Sequence, residues 1–303
     1  MADTSVDFGR VLTAMVTPFA PDGSVDYEAC GELAKALLAS GSDGLVLTGT
    51  TGETPTLTIE EQIAVWRTVR KAVGPDPTLI AGASTNSTAE SLEMVREGVS
   101  ADMCGLMFTV PYYNKPPQEG LYRHFATLAA ATPLHCILYN IPGRTALNMT
   151  AETTLRLAND IPNIVGIKEA AGDLAQAKAI CDAAPAGFRL WSGDDALTLD
   201  ILDQGGHGIV SVASHLVGAQ ISEMVATYVR GDRAGARAIE ARLMPLFNVL
   251  FIETNPIPVK YALNHAGINV GSLRLPMIDA SPDARARIDA EMAKHRLDVL
   301  AAV

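Results

Sequence analysis

Short apolar runs recur along this chain, and helically spaced stretches alternate with them. The runs are VLTAMVTPF (11–19), GLVLTG (44–49), TLIAGAS (78–84), MCGLMFTV (103–110), HCILYN (135–140), NIVGIK (163–168), FRLWSG (188–193) and HGIVSV (207–212). Nearly continuous apolar runs predict strands buried on both faces, as in a parallel sheet covered by helices. Helices are expected from Tyr27 to about Ser40 and from near Thr58, Ser87, Gln118, Thr150, Leu174 and Asp194. The eighth run is followed by helical sequence to the end, with breaks at GD (231–232) and NPIP (255–258). Thr58 with Glu61, and Ser87 with Glu90, have the spacing of a capping box, in which hydroxyl and carboxylate satisfy orphan N–H groups reciprocally.

Eight strand–helix units are the number that closes a (β/α)8 TIM barrel. The expected fold is therefore α/β: barrel units over residues 1–217, then the last barrel helix and a C-terminal helical extension over 218–303. A doubly wound open sheet is the rival. It would usually carry a G-x-G-x-x-G turn after an early strand, and LTGTTGE does not fit that pattern.

Composition narrows the partners. The 303 residues carry a formal net charge of -11 and no run of Lys or Arg, which argues against nucleic acid and anionic membranes. MADTSVDFGR lacks a basic start followed by an apolar run, so no signal peptide is expected, and no apolar stretch approaches a membrane span. Cys30, Cys104, Cys136 and Cys181 are dispersed among apolar neighbours and read as reduced, buried thiols of a cytoplasmic protein. The six histidines are scattered, with no H-x-H or H-E-x-x-H, which argues against metal-dependent aldol chemistry. No metal and no cofactor is expected.

One residue breaks the apolar logic. Lys168 closes the sixth run, where a strand would place Ile164, Gly166 and Lys168 on one face and Val165, Ile167 and Glu169 on the other. Glu169 then cannot easily neutralise its neighbour, and Gly166 leaves room beneath the amine. A strand-end lysine reaching solvent or pairing with a distant acid is the ordinary alternative. The other lysines are less distinctive: Lys35, Lys71, Lys178 and Lys294 fall on predicted helices, Lys115 in a loop and Lys260 after a Pro-rich turn. A nucleophilic amine must be neutral, which asks for a fall of roughly 3 units from about 10.4, worth about 4 kcal/mol. Burial can supply this, and such a lysine suits Schiff-base chemistry on a keto compound.

Other strand ends would gather at the same mouth. They bring Thr50 and Thr51 between Gly49 and Gly52, Tyr112 and Tyr113, Tyr139 and Arg144, Gly193 with Asp194 and Asp195, and GGHGIVS. Each alone has a structural reading, since a strand-end tyrosine is more often packing than catalysis. Two carboxylates in SGDD would oppose a phosphate at the site many barrels use for one.

In this order and spacing, GTTGE, PYYN, YNIPGRT, GIKEA, SGDD and GGHGIVSV resemble the dihydrodipicolinate synthase family, within the N-acetylneuraminate lyase superfamily of Schiff-base aldolases. The resemblance implies a lyase of lysine and diaminopimelate biosynthesis. It would condense pyruvate with aspartate 4-semialdehyde to 4-hydroxy-tetrahydrodipicolinate. By matching positions, Lys168 would form the imine and Tyr139 would be its general acid/base. Thr50 would link Tyr139 to Tyr113 of a neighbouring subunit. Thr51 would hold the pyruvate carboxylate and Arg144 that of the semialdehyde, with Gly193 and Val210 lining the pocket. A homodimer, paired into a homotetramer, is implied. So is an allosteric lysine site at Asn86, Glu90 and Tyr112, the first two sharing a helix face. Ile59 and Gln62 stand where several feedback-sensitive members carry histidines, which leaves inhibition by lysine open. The alternatives are another aldolase or dehydratase of the superfamily, acting on 2-keto-3-deoxy sugar acids or N-acetylneuraminate, and a non-catalytic metabolite-binding barrel. Sugar-acid aldolases of the superfamily usually lack an arginine at 144.

Overall fold

The computed structural model describes residues 7–301. Its strands are β1 (Val11–Ala14), β2 (Gly44–Leu47), β3 (Thr78–Gly82), β4 (Gly105–Thr109), β5 (His135–Asn140), β6 (Ile164–Glu169), β7 (Arg189–Ser192) and β8 (Gly208–Ser211). They form a closed barrel in chain order, the (β/α)8 architecture expected from eight alternating units. The helices are α1 (Tyr27–Ala39), α2 (Ile59–Val73), α3 (Thr88–Ser100), α4 (Gln118–Ala130), α5 (Pro142–Thr145), α6 (Ala151–Asp160), α7 (Leu174–Ala183) and α8 (Thr198–Asp203). The C-terminal part adds α9 (Ser214–Val229), α10 (Arg233–Val249), α11 (Ile257–His265) and α12 (Pro282–Met292). No helix among the described residues is long and apolar enough to cross a membrane.

Side-chain oxygens set the helix starts. Thr58 accepts from the Glu61 amide while Glu61 returns a bond to the Thr58 amide, a complete capping box. At α3 only half the expected box forms. Ser87 caps the Glu90 amide, but the Glu90 carboxylate accepts from the Thr85 hydroxyl, because the Ser87 amide already donates to Thr85 Oγ1.

Two compact units make up the chain. One joins the described residues up to Arg10 with Leu79–Val210; the other joins Val11–Thr78 with Ser211 and beyond. The division expected at residue 217 counts repeats along the chain, whereas this one groups residues by packing. In the first unit, β5 and β6 pair with a register shift beside Cys136 and Ile137 that leaves Val165 unmatched. Past that bulge Tyr139 stands opposite Lys168, and Asn140 opposite Glu169. In the second unit, α9 and α10 pack together, α12 covers α10 and α11, and α9 lies against β1.

A histidine closes the backbone just beyond β1. The Nε2 of the fully buried His215 accepts from the Val16 amide at 3.1 Å. That leaves Nδ1 to carry the proton and donate to the Val212 carbonyl at 2.8 Å. Burial pulls His215 down to about 4. Burial also pulls His124 and His207 to about 4. The stability of a neutral buried histidine is complete above its unfolded value near 6.5 and drains away as pH falls toward 4. Denaturant titrations should therefore show His215 costing on the order of 3 kcal/mol across that window. The drop should shrink in His215→Gln, which cannot titrate; an unchanged pH slope in that variant would contradict the assignment.

Candidate active site

Lys168 and Tyr139 lie on the same side of their strands, as their register requires. Lys168 is 4% exposed and Tyr139 is 2% exposed. The amine sits over the tyrosine ring, 4.2 Å from its centroid, within cation–π range. Among the described residues neither the amine nor the phenol has a hydrogen-bond or ion-pair partner, and both polar tips touch open space. Val210 is buried. Gly193 leaves the lysine its room: a Cβ there would lie 3.2 Å from Lys168 Cε and 2.6 Å from Ala170 Cβ. The room expected beneath the amine at Gly166 is filled by Trp191, whose Cζ3 would be 2.6 Å from a Cβ at that position. Arg144 is exposed on the short α5.

The opposite faces of the same strands carry a polar cluster. The buried Glu169 carboxylate accepts from Asn140 Nδ2 at 3.0 Å, from Gln176 Nε2 at 3.0 Å and from the Ala171 amide at 2.8 Å. Burial raises its pKa above the usual carboxylate range, with these donors pulling the other way. Glu169 therefore does not neutralise Lys168, as the strand alternation implied.

In the second unit, β2 runs into a tight turn over Thr50–Gly52. Thr48 and Glu53 flank it with left-handed backbone, φ 48° and 58°. That conformation costs a non-glycine residue of order 1–2 kcal/mol. Side-chain bonds offset the cost: Trp66 Nε1 donates to Thr48 Oγ1 at 2.7 Å, and Thr54 Oγ1 donates to the Thr48 and Gly49 carbonyls. Thr51 is buried, and its Oγ1 accepts from Asn255 Nδ2 at 2.9 Å. Its own hydroxyl proton is thus turned elsewhere, available to an anion.

Glu53 anchors this turn through Lys260, which is 0% exposed. Lys260 Nζ donates to Glu53 Oε1 at 2.8 Å, to the Thr17 carbonyl at 2.9 Å and to the Ser272 carbonyl at 2.7 Å. Burial lowers its pKa and the Glu53 carboxylate opposes that. With three acceptors for three N–H bonds, this nitrogen is an ammonium with no lone pair to offer. Arg274 adds its amide to Glu53 and forks onto Glu61. Of the two buried lysines, Lys260 is the structural cation and Lys168 the one free of acceptors.

Tyr113 is 89% exposed, with φ 72°, and Tyr112 is 38% exposed. Asn86 donates to the Tyr112 carbonyl at 3.1 Å. It precedes α3, so it does not share a helix face with Glu90. Of the cysteines, Cys30 and Cys136 are buried, but Cys104 and Cys181 are only half-buried. Burial pushes Cys30 up to about 12. Among the described residues no cluster of three or more His, Cys, Asp or Glu could hold a metal ion. Sequence reasoning missed Lys260, Asn255 and the Glu169 cluster. The signal for the first was faint: a lysine in the otherwise apolar first turns of α11.

Glu53→Gln should cost about 3–5 kcal/mol in urea denaturation, because it strands a buried ammonium. The double variant Glu53→Leu/Lys260→Met should lose less than either single change. A single-variant loss under about 1 kcal/mol would place the pair with ordinary surface bridges. Gly193→Ala should keep the fold yet slow chemistry at Lys168 by about tenfold or more, since the amine is pushed aside. An unaltered rate of lysine modification would refute the contact.

Residues 7–295 match the model of the Dihydrodipicolinate synthetase family. The chain is 56% identical over 276 residues to the 4-hydroxy-tetrahydrodipicolinate synthase of Symbiobacterium thermophilum, covering 91% of this chain and 94% of the relative. It is 53% identical to that of Moorella thermoacetica, covering 96% and 100%. Among solved structures it resembles the DHDPS of Cyanidioschyzon merolae with lysine bound, at TM-score 0.93 and 47% identity over 95% of this chain and 98% of that one. The dihydrodipicolinate synthase of Thermotoga maritima superposes at TM-score 0.92 with 38% identity, covering 94% and 97%. With the motifs, the barrel and the family model in agreement over nearly its whole length, the chain belongs to the dihydrodipicolinate synthase family.

Proposed function

We propose that the chain condenses pyruvate with aspartate 4-semialdehyde to 4-hydroxy-tetrahydrodipicolinate, the reaction for which its relatives are named. The observation that carries the reading is a buried lysine with no acceptor beside its nitrogen, set over the Tyr139 ring. The neutral amine adds to the ketone carbon of pyruvate, and loss of water gives the imine. The imine is an electron sink, so a methyl proton leaves and an enamine forms. The enamine carbon attacks the aldehyde. The amino group of the second substrate then displaces Lys168, which closes the ring and frees the enzyme.

Each step moves a proton, and Tyr139 is the proposed shuttle beside the nitrogen. Thr50 is proposed to pass protons between Tyr139 and Tyr113. Thr51 binds the pyruvate carboxylate in this scheme, a role that suits a hydroxyl whose oxygen is already engaged by Asn255. Arg144 binds the carboxylate of the semialdehyde, and Gly193 and Val210 line the pocket. The carboxylates of both substrates are thus met by local donors on an acidic protein. The exposure of Tyr113 supports its use by a neighbouring subunit, in a homodimer that pairs into a homotetramer. Lysine is the proposed ligand of Asn86, Glu90 and Tyr112.

Borohydride with pyruvate should add a reduced pyruvyl group to Lys168, found by mass spectrometry on the peptide spanning 164–178. Lys168→Ala should abolish labelling, while Lys260 stays unmodified in both proteins. A label on Lys260, or none at all, would overturn the proposal.

A further inference from the structure

Glu169 has no part in the chemistry above, yet it follows the reactive lysine directly and lies buried with no cation beside it among the described residues. Its neighbours explain what it can do. Asn140 ends β5, and the segment 141–149 that follows carries Arg144 on α5. Thr145 Oγ1 ties that segment internally, to the Ile141 carbonyl at 3.1 Å and the Leu147 carbonyl at 2.9 Å. Its two ends meet through the Asn140 side chain. Oδ1 accepts from the Met149 amide at 3.0 Å, and Nδ2 donates to Asn148 Oδ1 at 2.7 Å. Gln176 of α7 closes the ring, taking a bond from Asn148 Nδ2 at 2.8 Å and giving one to Glu169 Oε2 at 3.0 Å.

An amide can be turned end for end, and only its surroundings fix which way it lies. A carboxylate is an acceptor on both oxygens, so Glu169 forces the NH2 edge of Asn140 toward itself. The oxygen of Asn140 is then directed at Met149. The carbonyl of Glu169 also accepts from the Gly193 amide at 2.8 Å, which joins the same residue to the glycine where a Cβ would crowd Lys168.

We propose that Glu169 is a positioning residue for the second substrate: with Asn140, Asn148 and Gln176 it closes the base of segment 141–149 and fixes where Arg144 stands relative to Lys168. The inference rests on the reading of Arg144 as the ligand of the aspartate semialdehyde carboxylate. Glutamine cannot replace Glu169, because its own NH2 group would face those of Asn140 and Gln176 or allow Asn140 to turn over.

The test separates the two substrates. Pyruvate trapping by borohydride on the wild-type protein checks the functional reading by itself. Given that adduct, Glu169→Gln should raise KM for aspartate semialdehyde by about tenfold, the worth of one hydrogen bond to a charged group. The kcat and the rate of pyruvate trapping should stay within about threefold. Asn140→Asp/Glu169→Gln, which restores the polarity of the pair, should bring KM back to within about threefold of wild type. Gln176→Met, at a half-buried helix position, should show the same split at about threefold and stands in if Glu169→Gln does not fold. Equal losses in trapping and in semialdehyde use, or an unmoved KM in both single variants, would overturn the inference.

Discussion

Between two parallel strands, the register decides which side chains meet. Here the meeting of β5 with β6 sets Tyr139 beside Lys168 on one face and Asn140 beside Glu169 on the other. A slip of one residue would exchange the faces, setting Glu169 beside Tyr139 and turning Lys168 to the side of Asn140. The register is held by the pairing of six-residue strands, by the bulge at Val165 and by the Glu169–Asn140 bonds. The Lys168–Tyr139 face is thus kept in place by the one behind it.

The two buried lysines show how environment, and not residue type, assigns a role. Both carry a costly charge into the interior if protonated. Lys260 is compensated by a carboxylate and two carbonyls, and its charge in turn holds Glu53 and the left-handed turn that follows β2. Lys168 has an aromatic face and open space instead. The first arrangement stabilises an ammonium; the second leaves an amine room to react.

Much of the fold was legible because its signals are local. Eight apolar runs, a hydroxyl or Asp before several helices, and the breaks before α10 and α11 all fall where the chain was expected to turn. Ser87 shows the limit. Its spacing to Glu90 is that of a capping box, but Thr85 competes for both partners, and spacing does not report competition. Asn86 shows it again: four residues from Glu90 would mean a shared face only if the helix began earlier than Thr88.

The sequence by itself determined the barrel, the family motifs and the face on which Lys168 stands, because periodicity and residue order are properties of the chain alone. It also separated Lys168 from Glu169, since neighbours in a strand point apart. Only the tertiary structure decided that Trp191 fills the space under Gly166 and that Asn255 engages Thr51. It alone revealed Lys260 as the buried cation bonded to a glutamate 207 residues away. The reason is physical: burial and pairing depend on contacts between residues distant in sequence, and no local pattern encodes which of them will meet.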